Sequence, residues 1–198
     1  MPGVLRGLLF VGLLLGGLVG VTSAQEPQTP IDPKTTTRVT LGSTSGTPGT
    51  SVVVPIYFTP AEGKEVGLIK LGVNFVSRNV KYLRLDAGIA AEIGGVQLQP
   101  DAKDAKNEQG LETTTLTIQA SFPGPEPPKK GIPAGLLGYL TLQIGEDARP
   151  ANISLRASAE AAELGTNRPV QDLRAFDAQL EVLAAGSQPA VVCFFFTH

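Results

Sequence analysis

Three stretches of this chain alternate apolar and polar side chains with a period of two, and that period admits few folds. In Leu68–Phe75, Ile69, Leu71, Val73 and Phe75 fall on one side and Lys70, Gly72 and Asn74 on the other. In Thr113–Phe122, Leu116, Ile118, Ala120 and Phe122 oppose Thr113, Thr115, Thr117, Gln119 and Ser121. In Leu136–Ile144, Leu136, Gly138, Leu140, Leu142 and Ile144 alternate with Leu137, Tyr139, Thr141 and Gln143. Successive side chains of a strand point to opposite faces of its sheet, so each stretch has one face to bury and one to wet. Two sheets packed through their apolar faces satisfy all three at once.

The rest of the body fits that reading. Segments rich in Val, Ile, Thr and Leu are separated by Gly, Pro, Asn and Asp. Strands are predicted at 37–42, 51–58, 66–75, 80–86, 95–99, 112–121, 135–144, 151–157 and 176–183. The expected fold is all-β, an antiparallel β-sandwich of about nine strands. No long helical pattern competes, and there is no internal repeat. Asp101–Gln109 and Ala157–Leu164 read as charged or Ala-rich loops with room for a single helical turn each.

Composition narrows the function classes. Lys and Arg number 16 against 18 Asp and Glu, a net charge of −2, which argues against a nucleic-acid partner or an anionic membrane surface. One Cys cannot make an internal disulfide. The single His is the last residue, His198, so imidazole-dependent catalysis and most zinc sites lack their usual side chain.

The first 24 residues read as a secretory signal peptide. Arg6 precedes an apolar run to Val21, and Thr22-Ser-Ala24 offers small residues for cleavage. The run is too short to span a bilayer, which takes about 20 residues. Contact with a membrane is therefore expected only through the leader before cleavage. Residues 25–36, with three Pro, read as a linker, 37–183 as the domain, and 184–198 as a second linker with an apolar tail. The expected location is outside the cell or at its surface, with the periplasm as the alternative compartment. In the tail, Cys193 stands beside three consecutive Phe, and a Cys193-linked dimer or tether is the reading it prompts.

No catalytic or metal site stands out. Glu62, Glu65, Asp86 and Glu92 are candidates for a two-carboxylate glycosidase, but each falls at a predicted turn or strand end where solvated acids are ordinary. Asp101, Asp104, Asn107 and Glu108 come nearest to an oxygen-ligand cluster. They lack the alternate-position spacing and central Gly of a calcium loop. Asn152-Ile-Ser154 is a formal glycosylation sequon at the start of a strand. Phe122–Gly131, with four Pro, reads as a stiff connector. No cofactor is expected.

Three segments carry a family resemblance. Gly42–Gly49 followed by Thr50–Tyr57 pairs a Gly/Pro turn with an alternating strand. Val73-Asn-Phe75, Asn79-Val80 and Leu83–Gly88 give a central strand, a turn and the next strand. Ile132–Leu142 enters a strand through Gly. In that order, over residues 37–183, they resemble the cohesin domain, a secreted jelly-roll module of cellulosome scaffolds. One departure is clear: that family usually has a Tyr-Asp-Pro-like turn after its third strand, and here the chain reads Phe75-Val-Ser-Arg-Asn79.

The resemblance implies a non-catalytic module that binds dockerins, small calcium-loaded helical modules, in extracellular polysaccharide degradation. It also implies where: the sheet face built from the third, fifth, sixth and eighth strands. On this chain the wet residues of those segments are Lys70, Asn74, Gln97, Gln99, Thr115, Thr117 and Gln119. By residue type alone they make a surface of hydroxyls and amides with one Lys, suited to hydrogen bonding at modest desolvation cost. A carbohydrate-binding sandwich is the alternative. With no Trp and only Tyr57, Tyr82 and Tyr139, a planar cellulose platform is poorly supplied. A structural cell-surface protein is the third class.

Overall fold

The computed structural model describes residues 32, 34–124 and 128–187. The leader, most of the linker at 25–36, the centre of the Pro-rich connector and the tail with Cys193 and His198 lie outside the described residues.

Eleven strands and one short helix follow in order: β1 (Thr37–Leu41), β2 (Thr44–Gly46), β3 (Ser51–Thr59), β4 (Val66–Val76), β5 (Val80–Ala87), α1 (Ile89–Gly94), β6 (Gln97–Lys106), β7 (Glu112–Ser121), β8 (Gly135–Ile144), β9 (Ala151–Glu163), β10 (Leu173–Phe176) and β11 (Ala178–Val182). They form two sheets, β10-β1-β3-β8-β5 and β2-β11-β9-β4-β7-β6. The sandwich is as the alternation predicts.

Its inner faces are the apolar sides of the alternating strands. Val54, Ile56 and Phe58 of β3, and Leu140, Leu142 and Ile144 of β8, meet Ile69, Leu71, Val73 and Phe75 of β4 and Leu116 and Ile118 of β7 in one core. Each fully buried aliphatic or aromatic side chain contributes roughly 1.5–3 kcal/mol of hydrophobic free energy. That core replaces the disulfides the chain cannot make.

Two short strands, β2 and β10, are added beside predicted ones. The segment predicted at 37–42 is β1 and is followed by β2 in the other sheet, and the segment predicted at 176–183 holds β11 and is preceded by β10 in the other sheet. β1 pairs in parallel with β10, and β2 in parallel with β11, while all other ladders are antiparallel. The switches are pinned locally. Ser43 Oγ accepts from the Gln179 N–H at 3.0 Å, and the Asp177 carboxylate accepts from the Ala157 N–H at 2.7 Å. The short strands β10 and β2 thus stand at one edge of each sheet, covering β1 and β11.

Two segments predicted as loops are strands. Asp101–Lys106 continues β6, and Ala157–Glu163 continues β9. β6 is an edge strand, exposed along nearly its whole length, so it needs no apolar face, and its charges and Pro100 suit an edge. In β9 the inward positions after Leu155 are Ala157, Ala159 and Ala161, small residues that carry little strand signal.

A bulge accounts for the third difference. The β3–β8 register shifts between Ile56 and Tyr57, where Ile56 faces Gly138 and Tyr57 faces Leu136. The extra residue, Leu137, is buried, against the strict alternation expected from sequence.

Candidate functional site

The outer face of the six-stranded sheet gathers every candidate binding residue. The registers of β9–β4, β4–β7 and β7–β6 place side chains in rows across four strands. One row runs Ala162, Leu68, Ser121, Gln97. The next runs Glu160, Lys70, Gln119, Gln99, and the third Ser158, Gly72, Thr117, Asp101. The fourth runs Arg156, Asn74, Thr115, Lys103. Lys70, Asn74, Gln97, Gln99, Thr115 and Thr117 are exposed, and Gln119 is half-buried.

β4, β7 and β9 hold their side chains firmly because their other faces pack in the core, and β6 is held by its ladder to β7. Asn74 and Thr115 also hold each other: Asn74 Nδ2 donates to Thr115 Oγ1 at 2.8 Å. Lys103 pairs with Asp101 on the same strand at 3.0 Å.

Five further polar side chains of this face were not among the predicted ones. Ser158 and Glu160 come from the part of β9 read as loop, and Asp101 and Lys103 from the part of β6 read as loop, while Arg156 lies in the strand predicted at 151–157 but was not among the predicted face residues. The surface is therefore more charged than its predicted part. It carries Lys70, Lys103 and Arg156 against Asp101 and Glu160. A signal for β9 was present, since Arg156, Ser158 and Glu160 alternate strictly with Ala157, Ala159 and Ala161. The β6 extension carried none, because neither of its faces is apolar.

The centre of the face is low. At Gly72 a Cβ would stand 2.6 Å from Ser158 Oγ, so Gly72 leaves the backbone open between Ser158 and Thr117.

The remaining candidates disperse. Glu62 lies in the β3–β4 turn and Glu92 in α1. Glu65 accepts from the Gly131 N–H, and Asp86 pairs with Arg84 at 2.7 Å. Asp101 and Asp104 occupy opposite faces of β6, and Asp104 Oδ1 accepts from the buried Thr114 hydroxyl at 2.6 Å. Asn107 and Glu108 sit in the β6–β7 turn, where Asn107 Oδ1 accepts the N–H groups of Gln109 and Leu111. Among the described residues, no three His, Cys, Asp or Glu side chains gather as a metal site. Asn152 is exposed at the start of β9.

Tyr57 and Tyr139 lie on adjacent strands of the other sheet, 40% and 36% exposed. Tyr82 is half-buried against the core, and that burial, with Asp86 beside it, holds its phenol above the ordinary tyrosine range.

The same architecture recurs in solved structures. The third ScaC cohesin of Acetivibrio cellulolyticus, determined in complex with the ScaB dockerin, superposes with a TM-score of 0.56 at 21% identity, over 75% of this chain and 99% of that one. The fold is cohesin-like. The OlpA cohesin of Clostridium thermocellum, solved with the dockerin Doc918, gives 0.57 at 12% identity over 75% and 99%. A non-cellulosomal cohesin of the archaeon Archaeoglobus fulgidus gives 0.52 at 14% over 75% and 91%. No protein-family model matches the sequence, and no curated protein does.

Proposed function

We propose that this cohesin-like domain is a non-catalytic binding module. Its outer β9-β4-β7-β6 face captures a small helical protein module of dockerin type. The observation that carries the reading is the convergence of Lys70, Asn74, Gln97, Gln99, Thr115, Thr117 and Gln119 on one face. Structures of the same fold were solved with dockerins bound. The dimensions suit a helix. Four strands about 4.8 Å apart and four rows about 6.8 Å apart make a platform roughly 15 by 20 Å. A helix about 10 Å across and about 13 residues long covers it. The polar rows then supply donors and acceptors, and the low centre at Gly72 lets a helix side chain approach the backbone.

The leader-like N-terminus supports a module that works outside the cell. Participation in polysaccharide degradation is part of the same proposal, through the partner and not through the domain itself.

The test is affinity capture from the source organism's secreted proteins, using the wild-type domain and a Thr117→Arg variant, with and without a calcium chelator. A small calcium-dependent protein retained by the wild type and lost with Thr117→Arg supports the reading. Equal retention by both rejects the face.

Direct glycan binding is a second reading, favoured only by the exposed Tyr57 and Tyr139 on neighbouring strands. Retention on insoluble polysaccharide that Tyr57→Ala and Tyr139→Ala abolish supports it. Uniform flow-through removes it.

A further inference from the structure

β4 leaves the six-stranded sheet before its neighbours do. It ends at Val76, and Ser77–Asn79 carry the chain into β5 of the other sheet. β9 begins at Ala151, five residues before Arg156, the last to pair with β4. The β6–β7 hairpin likewise reaches beyond β4. A strand position is thus vacant at this end of the face, and a cleft of about 760 Å³ occupies it.

The cleft is rich in hydrogen-bond donors. Arg78 enters from the β4–β5 turn and Arg156 from β9. Neither has a carboxylate within ion-pair distance among the described residues. The Asn107 carbonyl oxygen is already used within its own turn, which leaves its amide N–H groups to donate. Asn152 adds a further exposed amide. One carboxylate, Glu108, lines the cleft against the two guanidiniums. Two planar forks without partners, in a concave site, match the geometry of a carboxylate. The exposed Val76 and Leu111 beside them favour a peptide, which brings an apolar stem with its acid, over a small free ion.

We infer that this cleft receives an acidic segment of the protein partner, an Asp- or Glu-bearing loop or helix end, held by Arg78 and Arg156. The inference rests on the protein-binding reading above and adds the partner's charge at one end of the face. The sign follows from this chain's own turn, where Val76 and Arg78 present no acid.

The probe is a fluorescein-labelled oligoglutamate peptide, titrated by anisotropy at low salt. Arg78→Ala/Arg156→Ala is compared with Lys129→Ala/Lys130→Ala, which removes the same charge at the opposite end of β4. The wild type binds, the cleft variant weakens binding by roughly five- to tenfold, and the lysine variant leaves it unchanged. Salt raised from about 20 to about 300 mM weakens the wild-type complex, as two exposed ion pairs require. Equal loss in both variants, or no wild-type binding, overturns the inference. Arginine-dependent binding of polygalacturonate that is tighter than that of the peptide also overturns it. Thr117→Arg separates the two proposals. If it leaves both secretome capture and the peptide titration untouched, the face reading fails while the cleft stands. If capture is lost but the peptide never bound, the cleft alone fails.

Discussion

Asn74 on β4 donates its side-chain amide to the hydroxyl of Thr115 on β7, 2.8 Å away, and the pair stands in open solvent at the edge of the charged row. An exposed cross-strand pair of this kind contributes roughly 0.2–1 kcal/mol to the sheet. Its larger effect is positional, since it fixes one acceptor and one donor for an incoming partner. The triple variant Lys70→Ala/Asn74→Ala/Thr117→Ala is expected to keep the sandwich, with an unfolding free energy within about 1.5 kcal/mol of wild type. It should weaken partner binding by at least about tenfold, which is 1.4 kcal/mol. Calorimetric titration of the captured partner measures this, and an unchanged affinity in a folded triple variant refutes the use of the face.

Gly72 separates the face from the fold. A Cβ there would meet Ser158 Oγ at 2.6 Å, the rotatable end of a small side chain, with the Ser158 carbonyl oxygen at 3.8 Å. The hydroxyl can turn away, and Ala restricts the unfolded chain by about 0.4–1 kcal/mol relative to Gly. Gly72→Ala is therefore expected to leave the melting temperature within a few degrees of wild type while raising the floor of the binding surface. Loss of affinity without loss of stability is the expected pair of results. A drop of more than about 2 kcal/mol in urea unfolding would show that Ser158 cannot move.

Gly88 behaves in the opposite way. It precedes α1, and its N–H donates to the Leu137 carbonyl at 2.9 Å, which brings the turn against β8. An added Cβ would lie 2.3 Å from the Leu136 carbonyl oxygen and 2.9 Å from the Gly138 nitrogen, all backbone of a central strand. Nothing there rotates away. Gly88→Ala is expected to cost about 1–3 kcal/mol, the range of overpacking, and to shift the bulge at Leu137. Gly95, with φ of +66° and open space around its Cα, supplies the comparison: Ala there pays the left-handed backbone penalty of roughly 1–2 kcal/mol without a clash. Denaturant midpoints of the two variants decide the matter, and a Gly88→Ala protein as stable as wild type contradicts the close approach.

The contrast between these glycines marks what the sequence made legible. The period of two in β4, β7 and β8 was enough to predict the sandwich and to sort Lys70 from Ile69 or Thr117 from Ile118, because burial on one side enforces alternation. It failed where one face carried no burial signal. Asp101–Lys106 has water on nearly every side, so no pattern selects a strand. Ala157–Glu163 buries only methyl groups, so the pattern is faint although the register is strict. The bulge at Leu137 and the sheet switches at Ser43 and Asp177 depend on contacts between residues far apart in the chain. Ser158, Glu160, Asp101 and Lys103 of the candidate face were hidden for these reasons, whereas Arg156 lay in a predicted strand and was not picked out.

The start of β4 and the end of β9 are tied by an ion pair whose acid limb is measurable. Lys64 Nζ lies 3.1 Å from Glu163 Oε1, and that hydrogen bond, with the lysine charge, holds the Glu163 carboxyl below the ordinary glutamate range. A carboxyl lowered in the folded state favours folding above its unfolded value, near 4.3, and loses that contribution as the pH falls through the lowered value. Lys64 is more than half exposed and Glu163 more than a quarter, so solvent screens the pair and its contribution is small. Lys64→Met should be slightly less stable than wild type at neutral pH. The difference should shrink as the pH drops below the ordinary glutamate range, and it should shrink with added salt at neutral pH. Urea unfolding of both proteins at neutral and acid pH tests the sign, and a gap that widens on acidification would show that the pair does not form.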